Sequence, residues 1–389
     1  MAFTLIVNPG SSSKKFALYK DDSLLINAYV EGGADGYCIS TFVKGVQHER
    51  KNLNRHLFLE SLVDFIKTAE SLGIITQREE ITKAAVRVVA VGTYFQEHKE
   101  ISDEYLKKLQ AHESVAPLHI PHLLQEIKVI KKELPWAKLI GASDSAFHRT
   151  MPKLSRSYSL TDEEAEKYDL FRFGFHGLSV SSVVRRTHAV TGKDPLRAIV
   201  CHIGSGVSVT AVKDEQSFDT SMGYSPGSGL IMGSRAGDLD VGAMLYLMQC
   251  KNLKPIDAIT YMQTQGGLYG LTGEKDLRFL LEKRAQGDTR AAFAVDSFVY
   301  QIRKKIGSYM AALGGIDLLI FTATAGERSP VLRGLVVAGL SELGVEIDDE
   351  KNELCVSRDG IISKMESKIK IAVIKTDEAS EINFVSKVI

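Results

Sequence analysis

The sequence predicts an α/β chain built as two similar domains, and three observations carry that prediction. At 389 residues the chain is long for one hydrophobic core. Apolar runs of strand length alternate with stretches of helical periodicity, the pattern of sheets covered by helices. One supersecondary unit also occurs twice, in pattern rather than in residue identity: strand, Gly/Ser-rich turn, strand, acidic turn, strand.

The first copy opens with the apolar run Phe3 to Val7. Asn8-Pro9-Gly10-Ser11-Ser12-Ser13-Lys14-Lys15 then turns the chain into a second strand, Phe16 to Tyr19. Lys20-Asp21-Asp22 reads as a turn and Leu24 to Val30 as a third strand, with more sheet over Tyr37 to Val46 after a loop at Glu31 to Gly36. A turn of this composition gathers N–H groups and hydroxyls at one spot beside positive charge, which suits a phosphate; Gly and Ser are equally ordinary turn residues. The second copy runs from Ala198–His202 through Gly204-Ser205-Gly206 to Val207–Val212, Lys213-Asp214-Glu215 and Phe218–Ser221. Two such hairpins in two similar halves suggest a nucleotide or polyphosphate held between related domains.

Between the copies, Phe58, Leu62, Phe65 and Ile66 repeat at helical spacing, with Gly73 as a C-cap. Ala84 to Val91 reads as an inner strand interrupted by Arg87, whose permanent charge demands either a buried ion pair or a bound anion. Ile101 to His112 is an amphipathic helix. Val115 to His122, with Pro117 and Pro121 around His119, reads as a rigid non-helical segment before a helix over Leu123–Leu134. The strand Leu139–Ser143 delivers Asp144 just past its end, where open α/β sheets place their chemistry. His176 is fixed between Gly174 and Gly177.

After the second copy, Asp219 to Asp240 is a glycine-rich loop carrying Arg235 and several carboxylates; Leu230, Ile231 and Met232 argue that it is not free in solvent. Pro255 to Gln265 is a helix with proline in its first turn, and Gly266 to Gly273 is turn-rich. The longest helix runs from about Arg290 to Leu313 and stops at Gly314-Gly315. Asp317 to Phe321 is an inner strand, Thr322 to Pro330 a small-residue loop, and another helix follows, a third nucleotide-type unit. The last strand, Ile369 to Ile374, delivers Thr376-Asp377-Glu378.

Composition narrows the function classes. Basic and acidic residues balance at 48 each, so nucleic acid and anionic membrane are not expected partners. The four cysteines are scattered without metal-like spacing, and no apolar run is long enough to span a bilayer. A cytoplasmic protein with neither leader nor membrane segment is expected.

Taken in order, these motifs resemble the acetate kinase family, within the acetate and sugar kinase, Hsc70 and actin superfamily. The resemblance rests on Asn8…Gly10-Ser11-Ser12-Ser13, Arg87, Ala116-Pro117-Leu118-His119, Asp144-Ser145-Ala146-Phe147-His148 and Gly174-Phe175-His176-Gly177. It continues through Cys201-His202-Ile203-Gly204, Asp219-Thr220-Ser221-Met222-Gly223, Met232-Gly233-Ser234-Arg235, Gly237-Asp238-Leu239-Asp240, Gly270-Leu271-Thr272 and Thr376-Asp377-Glu378, nearly the whole chain. It implies two actin-like (ribonuclease H-like) domains with an interdomain cleft, residues 1–145 plus 379–389 forming one and 146–378 the nucleotide-binding other.

The implied reaction is Mg²⁺-dependent phosphoryl transfer between ATP and acetate or a similar short carboxylate, with a homodimer as the usual assembly. Asn8 and Glu378 would hold the metal, Arg87 and Arg235 the carboxylate and the moving phosphoryl, Asp144 the reacting centre, and His176 the transition state. Val89, Leu118, His119, Phe175 and Pro226 would line the carboxylate site. Ser11, Ser13, Lys15, His202, Gly204, Ser205, Gly206, Asp276, Arg278, Thr324, Ala325, Gly326, Glu327 and Arg328 would bind the nucleotide.

Departures fall mostly in the nucleotide half. The family strand continues past its arginine with His-Gly-Gly, here Ala90-Val91-Gly92, and Lys14 replaces an apolar residue. Gly204-Ser205-Gly206-Val207 replaces Gly-Asn-Gly-Gly, Gly227-Ser228-Gly229 replaces Leu-Glu-Gly, and Ala323-Thr324-Ala325-Gly326-Glu327-Arg328 replaces Gly-Gly-Ile-Gly-Glu-Asn. The identity of the phosphoryl donor, nucleotide or pyrophosphate, therefore stays open, as does a ligand-binding relative without catalysis.

Overall fold

The computed structural model describes residues 2–10, 13–33, 36–113, 120–194 and 196–389, without the side chains of Gly33, Arg55 and His56. The chain divides into two compact units. The first comprises Met1–Ala90, Glu97–Ala146 and Glu378–Ile389; the second comprises Val91–Gln96 and Phe147–Asp377.

The first unit holds β1 (Phe3–Pro9), β2 (Ser13–Lys20), β3 (Ser23–Gly33), β4 (Gly36–Val43), β5 (Val46–Leu53), β6 (Ile81–Val88), β7 (Lys99–Glu100) and β8 (Lys138–Ser143). They form one sheet in the order β5-β4-β3-β2-β1-β6-β8-β7. Strands β1 to β5 run as an antiparallel meander, whereas β6 lies parallel to β1 and β8 parallel to β6. Leu5, Ile6, Val7, Ala84, Ala85 and Val86 are all buried, the near-continuous apolar run of strands covered on both faces. Helices Ile120–Glu133 and Glu378–Val388 lie against β1 and β6. The C-terminal helix is tied down by Lys83 Nζ donating to the Ser386 carbonyl at 2.7 Å and Asn383 Nδ2 donating to the Asp21 carbonyl at 2.8 Å.

The second unit holds β9 (Arg197–Ile203), β10 (Val207–Lys213), β11 (Gln216–Thr220), β12 (Leu318–Thr322), β13 (Gly360–Ile361) and β14 (Lys370–Val373), in the order β11-β10-β9-β12-β14-β13. Here β9, β10 and β11 are antiparallel, β12 lies parallel to β9, and β14 parallel to β12. The five-strand pattern β3-β2-β1-β6-β8 is thus repeated by β11-β10-β9-β12-β14. The duplicated pattern of the sequence is a duplicated topology. Val180 and Val183 of helix Gly177–Thr191 pack with Ala198, Val200, Val212, Leu318, Ile320, Ala372 and Ile374 to form a core of this unit.

Four sequence expectations are corrected. Pro121 and His122 lie in the first turn of helix Ile120–Glu133, where proline costs no hydrogen bond; the rest of the segment expected to be rigid, from Val115 to His119, lies outside the described residues. The loop from Glu31 narrows because β3 extends to Gly33, and the sheet expected over Tyr37–Val46 is β4, ending at Val43, and a tight turn that reaches β5 only at Val46. Gly266–Gly273 contains a helix, Gly267–Thr272, and the small-residue stretch after β12 is the helix Ala323–Arg328.

Candidate active site

In the first unit the carboxyl ends of three neighbouring strands meet. Arg87 sits next to last on β6, in register with Ala142 of β8. The Asp144 amide donates to the Val88 carbonyl at 2.9 Å, extending the parallel ladder and fixing Asp144 just beyond β8. Its carboxylate is almost wholly buried, and its Oδ2 accepts from Arg87 NH2 at 2.8 Å. Arg87 NH1 reaches Glu378 Oε2 at 3.3 Å, and Asn8 Nδ2 donates to the same oxygen at 2.7 Å. Asn8, Arg87, Asp144 and Glu378, separated by up to the length of the chain, form one hydrogen-bonded cluster.

Burial works against the charge on Arg87, but Asp144 and Glu378 outweigh it and hold the guanidinium above its ordinary pKa. Of the two readings of a lone arginine in a buried strand, the structure shows the ion pair. Arg87 Nε is buried without a hydrogen-bond partner among the described residues. Two carboxylates against one guanidinium leave the cluster a net negative charge. Its amide and carboxylate oxygens suit a magnesium ion, which takes one or two protein oxygens and completes its shell with phosphate and water.

His98, which the sequence reading passed over, stands behind this cluster. Its Nδ1 accepts from the Ser143 amide at 3.0 Å, one residue before Asp144. Burial pushes its pKa down to about 4, so the ring is neutral at neutral pH and the proton sits on Nε2. Lys15, exposed on β2, is in register with Asn8, and Ser13 begins the same strand, its carbonyl accepting from Gly10 N at 2.8 Å. Val89 is half-buried just after β6. Ser11, Leu118 and His119 lie outside the described residues.

The second unit assembles different chemistry around the β9–β10 turn, which Gly204 N closes onto the Gly206 carbonyl at 3.0 Å. His202, next to last on β9, and His176, at the start of helix Gly177–Thr191, stack with centroids 3.9 Å apart and planes at 20°. Each ring is fixed through Nδ1, His176 by Ser208 Oγ at 3.0 Å and His202 by Ser179 Oγ at 2.8 Å. His176 Nε2 and Arg235 NH1 approach Gly206 so closely that an added Cβ there would stand 3.0 and 3.6 Å from them. A side chain at Gly206, the second glycine of Gly204-Ser205-Gly206, would press on the His176 ring. Arg235 is anchored by NH1 donating to the Pro226 carbonyl at 2.9 Å, while Ser205 is exposed at the tip of the turn. Phe175 and Pro226 are buried.

The helix Ala323–Arg328 is anchored from beneath. Glu327 is buried and accepts from Thr376 N at 2.9 Å. Arg333, fully buried, donates to the Gly326 carbonyl at 2.8 Å, and also to Asn352 and the Cys355 carbonyl. Ala323 holds φ at 64°, a left-handed conformation costly for any residue with a Cβ, while Thr324 and Arg328 face solvent and Ala325 is partly covered. Asp276 caps helix Leu277–Ala285 and pairs with Arg278 at 2.6 Å, the latter largely in solvent. Ser208 and Ser179 were not read as site residues. Their one sequence signal was a hydroxyl inside an otherwise apolar strand or in the first turn of a helix.

Comparison with known proteins agrees with the resemblance. The Acetokinase family profile matches residues 3–383. The acetate kinase of Thermotoga petrophila is 37% identical, over 96% of this chain and 95% of that protein. Among solved structures, Porphyromonas gingivalis acetate kinase superposes with a TM-score of 0.85 at 31% identity, covering 100% of this chain and 99% of the other. A propionate kinase from Francisella tularensis subsp. tularensis gives 0.89 at 30% identity, covering 100% of both. The fold is accordingly actin-like in two domains. With its ordered motifs, its duplicated sheet and these relatives, the chain belongs to the acetokinase family.

Proposed function

We propose that the protein transfers a phosphoryl group reversibly between ATP and acetate, or a similar short-chain carboxylate, giving ADP and acetyl phosphate. The observation that carries this reading is the Asn8–Arg87–Asp144–Glu378 cluster, because it joins an anion-binding donor to a metal-compatible set of oxygens. Phosphoryl transfer asks little covalent chemistry of a protein; cations and N–H donors around the equatorial oxygens carry most of the acceleration. Arg87 would orient the carboxylate, and Arg235 with His176 Nε2 would donate to the transferring phosphoryl. Acetate is ionised at neutral pH, so no general base is needed to make it a nucleophile, and Asp144 serves to position Arg87. Magnesium, held by Asn8 and Glu378 with the phosphates, would neutralise phosphate charge. Val89, Leu118, Phe175 and Pro226 would enclose the acyl methyl. Such a pocket separates substrates differing by one methylene by only about 10–200-fold, so propionate should also react.

A second reading, pyrophosphate as donor, is favoured by one feature. The Cβ of Ala323 lies 3.7 Å from where a Cβ on Gly204 would stand, which puts a methyl beside the phosphate hairpin where the family has none. Acyl hydroxamate formation, measured with ATP, GTP and pyrophosphate in parallel, decides. Turnover with ATP supports the first reading and turnover with pyrophosphate alone the second; no turnover by folded protein with any donor sinks both.

A homodimer fits helix Val241–Lys251, which buries none of its residues and leaves Val241, Leu245 and Tyr246 at least 60% exposed. Sedimentation equilibrium at micromolar protein should give twice the chain mass; a monomer would contradict it. The cysteines are free, and no helix among the described residues is long and apolar enough to cross a membrane, in keeping with a cytoplasmic site of action. Recovery in a membrane or secreted fraction would overturn that location.

A further inference from the structure

We infer that His148 is a positioning residue for the phosphoryl-transfer step, acting through the turn that carries His176. The inference rests on the reading of His176 as a transition-state donor. His148 follows Asp144 in the sequence by a few residues but belongs to the second unit, and its side chain is fully buried there. Its ring spans two elements. Nε2 lies 2.9 Å from the Phe175 carbonyl, and Nδ1 lies 2.8 Å from Ser217 Oγ on β11. A carbonyl can only accept, so Nε2 carries the proton; in the neutral ring Nδ1 then accepts from the Ser217 hydroxyl. Ser217 is itself buried, and its carbonyl accepts from Thr150 Oγ1 at 3.1 Å, so the serine is held in place.

The segment that His148 grips is held against its backbone preferences. His176 has φ at 60° and Gly174 at 69°. A Cβ on Gly174 would stand 2.7 Å from Cγ and Cδ2 of the His148 ring, so that glycine is needed both for its conformation and for the ring beside it. Backbone groups earlier in the turn are also held. Phe173 N and Gly174 N both point to the Gly223 carbonyl, at 3.1 and 3.3 Å, and Gln96 Nε2 donates to the Phe173 carbonyl at 3.3 Å. The Phe175 carbonyl, one peptide before His176, is the group that His148 holds. Without that bond the peptide preceding His176 can rotate, and Nε2 of His176 loses its fixed place beside Gly206 and Arg235.

A misplacement of about 1 Å at the reacting centre can lower a rate by about 10²-fold. His148→Phe keeps the ring volume and removes both hydrogen bonds. It should lower kcat by about 10- to 100-fold while each KM stays within about threefold. His148→Gln returns a donor near the Nε2 position and should recover most of kcat, whereas His148→Asn, whose amide reaches only toward Ser217, should not. A double-mutant cycle completes the test. His176→Ala alone should lower kcat strongly, and His148→Phe added to it should cost less than about twofold more.

If His176→Ala leaves kcat unchanged, the reading of His176 fails and takes the inference with it. If His176→Ala is damaging but His148→Phe is not, or the two losses multiply, the positioning role alone is overturned. Should His148→Phe not fold, the comparison of Gln with Asn decides: equal kcat in the two contradicts the assignment.

Discussion

The two units carry the same five-strand sheet, yet equivalent strand ends hold different chemistry. Asn8 and His202 occupy the same next-to-last place on β1 and β9, beside Arg87 of β6 and Thr322 of β12 respectively. Past the third parallel strand stand Asp144 in the first unit and Ile374 in the second. The first unit has placed an amide, a guanidinium and a carboxylate there, interlocked by ion pairs and closed by Glu378. The second has an imidazole, a hydroxyl and an alkyl chain, and Arg235 enters from a long loop instead. At this matching place Nε of Arg87 and Oγ1 of Thr322 are both buried without a hydrogen-bond partner among the described residues. A duplicated scaffold supplies strand ends; the side chains placed on them divide the labour. Under the proposed function the first unit would chiefly serve the carboxylate and the metal, and the second chiefly the nucleotide and the moving phosphoryl.

The sharpest way to break this division is at Arg87. Arg87→Ala leaves the buried Asp144 and the partly buried Glu378 without their shared cation. Removing one partner of such a pair costs roughly 3–5 kcal/mol of stability, and transfer activity should fall by about 10³-fold or more. Urea unfolding and hydroxamate formation check the two effects. Arg87→Lys should restore part of the stability and little activity, because one ammonium does not reproduce the guanidinium's separate contacts to two carboxylates. Near-normal turnover in the alanine variant would mean that the cluster is structural only.

A milder effect belongs to His98, whose counterpart the second unit lacks among the described residues. Its pKa is about 4 in the folded protein and about 6.5 in an unfolded chain. Between those values the unfolded chain binds more protons, so stability rises with pH there. The contribution is complete above about pH 6.5 and is lost as pH falls toward 4. Urea midpoints measured from pH 7 to pH 4 should decline more steeply for the parent than for His98→Gln, whose amide oxygen can still accept from Ser143 N. Parallel declines would remove His98 from the account.

Much of the fold was legible because its sheets are central and apolar. Phe3–Val7 and Ala198–His202 fall within strands, Ala84–Val91 and Asp317–Phe321 overlap strands that leave out Val89–Val91 and Asp317, and the doubled hairpin is evident from turn chemistry alone. Strand β5 was not read. Val46–Leu53 is polar, lies at the sheet edge and owes its conformation to pairing with β4. The helix Ala323–Arg328 was read as a loop because Thr-Ala-Thr-Ala-Gly has no periodicity; buried bonds from Arg333 and Glu327 to its backbone and neighbours hold it. In the candidate site, Arg87, Asp144, His176 and Arg235 stand in recognisable motifs, and Glu378 reaches Asn8 from far along the chain. Of the residues that hold them, His148 stands in a motif, whereas His98, Ser179 and Ser208 have no local signature, since each is defined by a partner distant in sequence.

The division of labour is tested most directly by calorimetric titration of ADP, without magnesium, into the Arg87→Ala and His202→Ala proteins. Omitting the metal removes the contribution of Asn8 and Glu378 to nucleotide binding. The account predicts that Arg87→Ala binds ADP within about threefold of the parent while His202→Ala binds it at least about tenfold more weakly, a difference near 1.4 kcal/mol. Equal weakening in both proteins, or loss of ADP binding on removing Arg87 alone, would contradict it.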